Sequence, residues 1–131
     1  MMIKFAGWLS AALFALAVVA FDGSQTYAAE DSWRSGGTLH LARQPEWMPA
    51  SHENKLATTS DFVVEFIGQE NAASISSDEL KEMSEKVISC VERKIQSTWV
   101  RGGLLVWPNA MYCMITMDYP PAGSWATLGQ R

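Results

Sequence analysis

The chain has 131 residues, 48% apolar and 18% charged, with a formal net charge of −4 at neutral pH. Ten basic against fourteen acidic residues argue against nucleic acid or anionic lipid as the main partner, because phosphate recognition needs clustered Lys and Arg. Arg93 and Lys94, the only adjacent basic pair, follow Glu92 on what reads as the solvated face of a helix.

The N-terminus carries an address. Lys4 precedes an apolar run over residues 5–21, which is followed by a Gly23-Ser24-Gln25 break and the small pair Ala28-Ala29. A positive start, a short apolar helix and small side chains beyond it make a cleavable signal peptide over residues 1–28, with cleavage after Ala28 or, next, Ala29. The rival is an uncleaved anchor. The run is shorter than the roughly 20 residues that span a bilayer, and Gly7 and Ser10 weaken it further. No Cys near the junction could carry a lipid, so the mature product is expected to be periplasmic or secreted, with no stable membrane insertion.

Residues 29–131 then form one small domain, since length sets a soft prior of one domain per roughly 100 to 200 residues. Cleavage removes Lys4 and Asp22 together, so the charge is unchanged. Cys90 and Cys113 are the only cysteines, and in an oxidising compartment a disulfide between them is the default. Closing that loop stabilises the fold by about 3 kcal/mol in the chain-entropy model. The alternative, a redox-active thiol pair, lacks C-x-x-C spacing.

Residues 29–50 read as an irregular arm. Ser35-Gly36-Gly37-Thr38 resists helix, and Pro45 and Pro49 bracket Glu46-Trp47-Met48. Leu39, Leu41 and Trp47 are expected to pack the arm onto the body. Residues 51–67 follow as a helix, with Ser51 as N-cap, a stripe of Leu56, Ala57, Ser60, Val63, Val64 and Ile67, and Gly68 as stop. Asn54, Lys55, Asp61 and Glu65 are expected to point away from that stripe. The β-branched content after Phe62 would also suit a buried strand.

The second helix, over 76–98, is the clearest element. Ser76 and Glu79 make a capping box, and Leu80, Met83, Val87, Val91 and Ile95 line one face with Ile88 beside them. Glu82 with Lys86 and Lys81 with Glu85 are opposite charges one turn apart, and Cys90 sits at the edge of the apolar face. After an Arg101-Gly102-Gly103 break, residues 109–118 are helix or strand. Residues 110–117 are apolar nearly all round, which periodicity cannot assign. Asn109 as N-cap favours a helix, and the rival is a hairpin of residues 104–107 with 111–117. The fold class is therefore mainly α, a three-helix domain after an irregular arm with one disulfide, or alternatively α+β with a C-terminal hairpin.

Little chemistry is encoded. His40 and His52 are the only imidazoles. His52-Glu53-Asn54-Lys55-Leu56 begins like a zinc-protease helix but has Leu56 where the second His belongs. A site of His40, His52 and Glu53 would need the arm to fold back, so no metal or other cofactor is assigned. No G-x-S-x-G elbow presents a serine, and Gly36-Gly37-Thr38 lacks the Lys of a phosphate loop. Asp78, Glu79 and Glu82 read as an acidic helix start. Trp33, Trp47, Trp99, Trp107 and Trp125 survive cleavage, a high load for this size, and indole suits both core filling and binding. Trp33, Trp47 and Trp125 are the candidates for exposure. With His40 and His52 they make up the candidate binding surface.

The expected function is binding without catalysis. The first reading is a small exported, disulfide-stabilised protein that binds an envelope or secreted protein, as an immunity-type inhibitor or accessory subunit does. The second is a glycan or cell-wall module using exposed Trp, and the third is a small hydrolase using His40 or His52. The layout is similar to that of small exported bacterial proteins, which is an architecture and not an activity.

Overall fold

A computed structural model describes residues 31–98 and 103–123. A 3-10 turn at Ser32–Arg34 is followed by five helices: α1 (Gln44–Trp47), α2 (His52–Ile67), α3 (Gln69–Ser74), α4 (Ser77–Gln96) and α5 (Val106–Thr116). The fold is mainly helical, as expected. Among the described residues the only sheet-like pairing is an isolated antiparallel bridge between Arg43 and Leu105. The expected signal peptide, Trp99 and Trp125 lie outside the described residues.

The long helices begin and end where local chemistry dictates. The Ser51 hydroxyl accepts from the Asn54 amide at 3.3 Å, and Gly68 at φ 87° ends α2. The Ser76 hydroxyl accepts from the Glu79 amide at 3.1 Å, which satisfies an amide that the first turn of α4 leaves without a helical partner. Phe62 through Ile67 stay helical despite their β-branched content, because Val63, Val64 and Ile67 share the buried side of α2. That burial outweighs the small propensity cost.

The core lies where α2, α4 and α5 meet. Leu56, Val63 and Ile67 face Leu80, Val87, Val91 and Ile95 of α4 and Val106, Ala110, Cys113 and Met114 of α5, all in one buried cluster. Cys90 and Cys113 are joined, with an S–S distance of 2.00 Å and a Cα–Cα distance of 6.0 Å. The expected disulfide therefore bolts α5 to α4.

The hairpin does not form. Residues 104–106 pair with the arm instead: the Gln44 amide donates to the Leu104 carbonyl at 2.8 Å and the Val106 amide to the Ala42 carbonyl at 3.0 Å. The helix starts at Val106, three residues before the expected N-cap. Pro108 falls in its first turn, where a missing amide hydrogen costs nothing. Asn109 is thus a buried residue inside the helix, its Nδ2 donating to the Leu105 carbonyl at 2.6 Å.

The arm packs down over α2 but with a different phase from the one expected. Gly37 lies so close to α2 that a Cβ there would come 2.6 Å from the Thr58 backbone nitrogen. Thr38 exchanges hydrogen bonds with the Asn54 side chain, and the Leu39 amide donates to the Thr58 hydroxyl at 3.2 Å. Leu39 and Trp47 are buried, whereas Leu41 is 89% exposed. The Ala42 amide donates back to the Leu39 carbonyl at 3.0 Å, a turn that sends Ala42 inward and leaves Leu41 outside. Lys55 also departs from expectation. It is buried, lays its stem along the core and ends on Glu92 at 2.8 Å and the Met48 carbonyl at 3.2 Å. Past α5, the Ala122 amide donates to the Phe66 carbonyl at 2.8 Å, so the chain returns to the end of α2.

Among the described residues no helix is long and apolar enough to cross a membrane.

Candidate functional site

The residues singled out from sequence end up in separate environments. Trp47 is 0% exposed and cannot serve as a binding platform. Its helix is pressed inward at Pro45, whose ring abuts Gly103 so closely that a Cβ there would lie 2.5 Å from Pro45 Cδ. The Lys55 ammonium covers its ring at 5.9 Å from the centroid.

Trp33 is half-buried. Its Nε1 donates to the Ser77 hydroxyl at 3.2 Å, and the Lys81 ammonium lies 6.0 Å from its ring centroid. It borders a shallow cleft of about 550 Å³ with Ser35, Ser51, Glu53 and Asn54.

The imidazoles are exposed and far from a shared task. His40 Nε2 meets Asp61 Oδ2 at 2.8 Å and packs edge-on to Phe62. His52 Nε2 meets Glu85 Oε1 at 2.8 Å. Glu85 is therefore spent on His52 and does not form the expected pair with Lys81, while Glu82 does bond Lys86 at 2.7 Å. That bond and the Lys86 charge hold the exposed Glu82 carboxyl below the usual carboxylate range. His40, His52 and Glu53 are not gathered into a metal site, and no three His, Cys, Asp or Glu among the described residues could hold an ion. Both cysteines are committed to the disulfide, so neither supplies the thiolate a cysteine nucleophile needs.

A different surface stands out, one that no single motif marks. α5 contains no Asp, Glu, Lys, Arg or His, whereas each of the other four described helices carries at least one charged side chain. Its Val106, Ala110, Cys113 and Met114 enter the core, and at 100° per residue the opposite arc holds Leu105, Pro108, Met111, Tyr112 and Ile115. Tyr112 is 53% and Ile115 57% exposed, and Leu105 and Met111 are also exposed. Leu41 adjoins this arc, since the Ala42 carbonyl next to it receives the Val106 amide. Together they make an uncharged apolar strip on a molecule of net charge −4, and exposed apolar patches are candidate interaction sites.

The strip is held rigidly and is bordered by cations. The disulfide fixes α5 against α4, and Phe62 packs on Trp107 with ring centroids 4.8 Å apart on the inner side. The Lys94 ammonium lies 3.7 Å from the Tyr112 ring centroid, pinned to one edge of the strip by the ring quadrupole. Arg43, paired through its backbone with Leu105, stands at the N-terminal end with its guanidinium donating to the Gly103 carbonyl at 3.3 Å. The available signal for this face was the all-round apolarity of residues 110–117: a helix with one side in the core must expose the other.

Comparison with protein-family models, with curated proteins and with solved structures yields no match to this chain. Any functional reading therefore rests on the chemistry of its own surface.

Proposed function

We propose that the protein is a small exported, non-enzymatic binder of an envelope or secreted protein, of the immunity-inhibitor or accessory-subunit kind, and that the partner docks on the outward face of α5. The observation that carries this reading is the uncharged, exposed strip of Leu105, Met111, Tyr112 and Ile115, stapled in place by Cys90–Cys113. A pre-ordered apolar patch with a central aromatic loses little conformational entropy on binding and supplies a hot spot. Export is supported by the signal-like N-terminus and by a disulfide that persists in oxidising compartments.

The test is capture from an envelope extract by the immobilised protein, wild type beside Ile115→Glu. A defined protein retained by wild type at both moderate and high salt, and lost with Ile115→Glu, is the expected result. Equal recovery by both proteins would refute the assignment of this face, because a charge buried in an apolar interface is costly.

One observation favours a second reading. The cleft beside Trp33, with Ser35, Ser51, Glu53 and Asn54 around it, joins an aromatic surface to hydroxyl, amide and carboxylate groups, which suits a sugar ring. Titration of Trp fluorescence with cell-wall oligosaccharides decides it: a saturable change lost in Trp33→Ala supports glycan binding, and an unchanged spectrum removes it.

A further inference from the structure

We infer that the segment docking on α5 is an amphipathic helix whose apolar stripe is edged with carboxylates on the side that meets Lys94 and Arg43. The inference rests on the docking face proposed above and adds the chemistry of its occupant.

The backbone offers no alternative mode of capture there. No strand edge exists among the described residues, so a partner cannot be held by strand addition and must pack side chain against side chain. Leu105, Pro108, Met111, Tyr112 and Ile115 recur at three and four residues along α5, a ridge that fits the groove of a second helix. At 1.5 Å per residue the ridge matches about three turns of a partner.

Charge then selects among helices. The described part of the chain is acidic, yet four of its carboxylates are engaged elsewhere: Glu92 is taken by Lys55, Glu82 by Lys86, Asp61 by His40 and Glu85 by His52. At the strip itself the facing groups are Lys94 from α4 and Arg43 from the arm, and neither has an ion pair with a carboxylate among the described residues. Two carboxylates lie near its border: Glu46, which accepts from the Arg43 backbone amide at 2.8 Å, and Asp118, just past the C-terminal end of α5. A partner edged with acids along the half from Leu105 to Tyr112 meets two cations already held in place, and one edged with bases is repelled.

A second copy of this chain fits less well. Antiparallel two-fold pairing of α5, which its dipole favours, would bring both Lys94 ammonium groups to the same side near the axis, because Tyr112 lies close to the middle of the strip.

The experiment uses the full folded chain and two synthetic peptides of about four helical turns, stapled to hold the helix. Both carry the same Leu and Ile stripe, one edged with Glu and the other with Lys, and binding is read by fluorescence anisotropy. The Glu-edged peptide is expected to bind at least about tenfold more tightly at low salt, with the gap closing as salt is added. Lys94→Glu should narrow or reverse the preference, and Ile115→Glu, checked for unchanged circular dichroism, should abolish binding of both. Equal affinity for the two peptides overturns the charge inference and leaves the docking face intact. Failure of either peptide to bind overturns the inference also, while envelope capture that still depends on Ile115 would show that the docking face itself survives. Self-association seen by sedimentation and removed by Ile115→Glu would make the occupant a second copy and overturn it likewise.

Discussion

Gly37 shows how one missing methyl seats the whole arm. Its position leaves no room for a Cβ against the Thr58 backbone, so Gly37→Ala must push the arm off α2 or strain it. Overpacking of this kind costs about 1 to 3 kcal/mol, which should appear as a lowered urea midpoint with an unchanged slope; an unaltered midpoint would mean the arm gives way freely. Tyr119 couples stability to alkaline pH. Burial first, and the Glu82 charge second, raise its pKa above the ordinary value of 10, and its hydroxyl donates to the Met83 carbonyl at 3.1 Å. The folded state therefore keeps a proton that the unfolded chain gives up near pH 10. The associated stability is present below that pH and is lost as pH rises through the higher folded value. Tyr119→Phe is expected to flatten the alkaline limb of the stability curve above pH 10, measured by urea melts; an unchanged limb would refute the assignment. At this scale sequence reading failed at Leu41, expected inside and exposed, and left Trp47 open between packing the arm down and standing exposed, where the structure buries it. An irregular arm has no period to set its phase. The choice was made by pairing with residues 104–106, some sixty residues away and invisible to local pattern.

Elements with both a cap and a period were legible. The bounds of α2 and α4 follow from Ser51, Gly68 and Ser76, because those residues satisfy or stop backbone hydrogen bonds wherever they occur. α5 was only half legible. An all-round apolar segment has no phase of its own, and Pro108 falls in the first turn instead of preceding the helix. Its phase comes from Cys113, which must face Cys90. Two substitutions read that phase directly. Met114→Ala, in the core, should cost about 2 to 5 kcal/mol, whereas Ile115→Glu, one residue on, should leave thermal stability nearly unchanged while removing binding. Similar losses for both would place Ile115 in the core. Replacing Cys90 and Cys113 together by Ser should lower stability by about 3 kcal/mol and speed amide exchange in α5 more than in α2, since α5 alone is tied to α4 by that bond; uniform exchange would contradict the staple's local role.

The described residues combine an acidic body, a stapled three-helix core and one uncharged helix face. The candidate site was the least legible part of the sequence, because it is defined by what is missing from α5, namely charge, and exposure of an apolar residue is a tertiary fact. The docking proposal depends on two prior conditions: the chain must leave the cytoplasm, and α5 must be bolted down. Intact mass of the protein recovered from the extracytoplasmic fraction, with and without reduction and thiol labelling, tests both at once. The account predicts a chain cut after Ala28 or Ala29, two hydrogens lighter than its reduced form and unlabelled until reduction. An uncut chain with two free thiols would contradict it, leaving α5 unstapled and the address wrong.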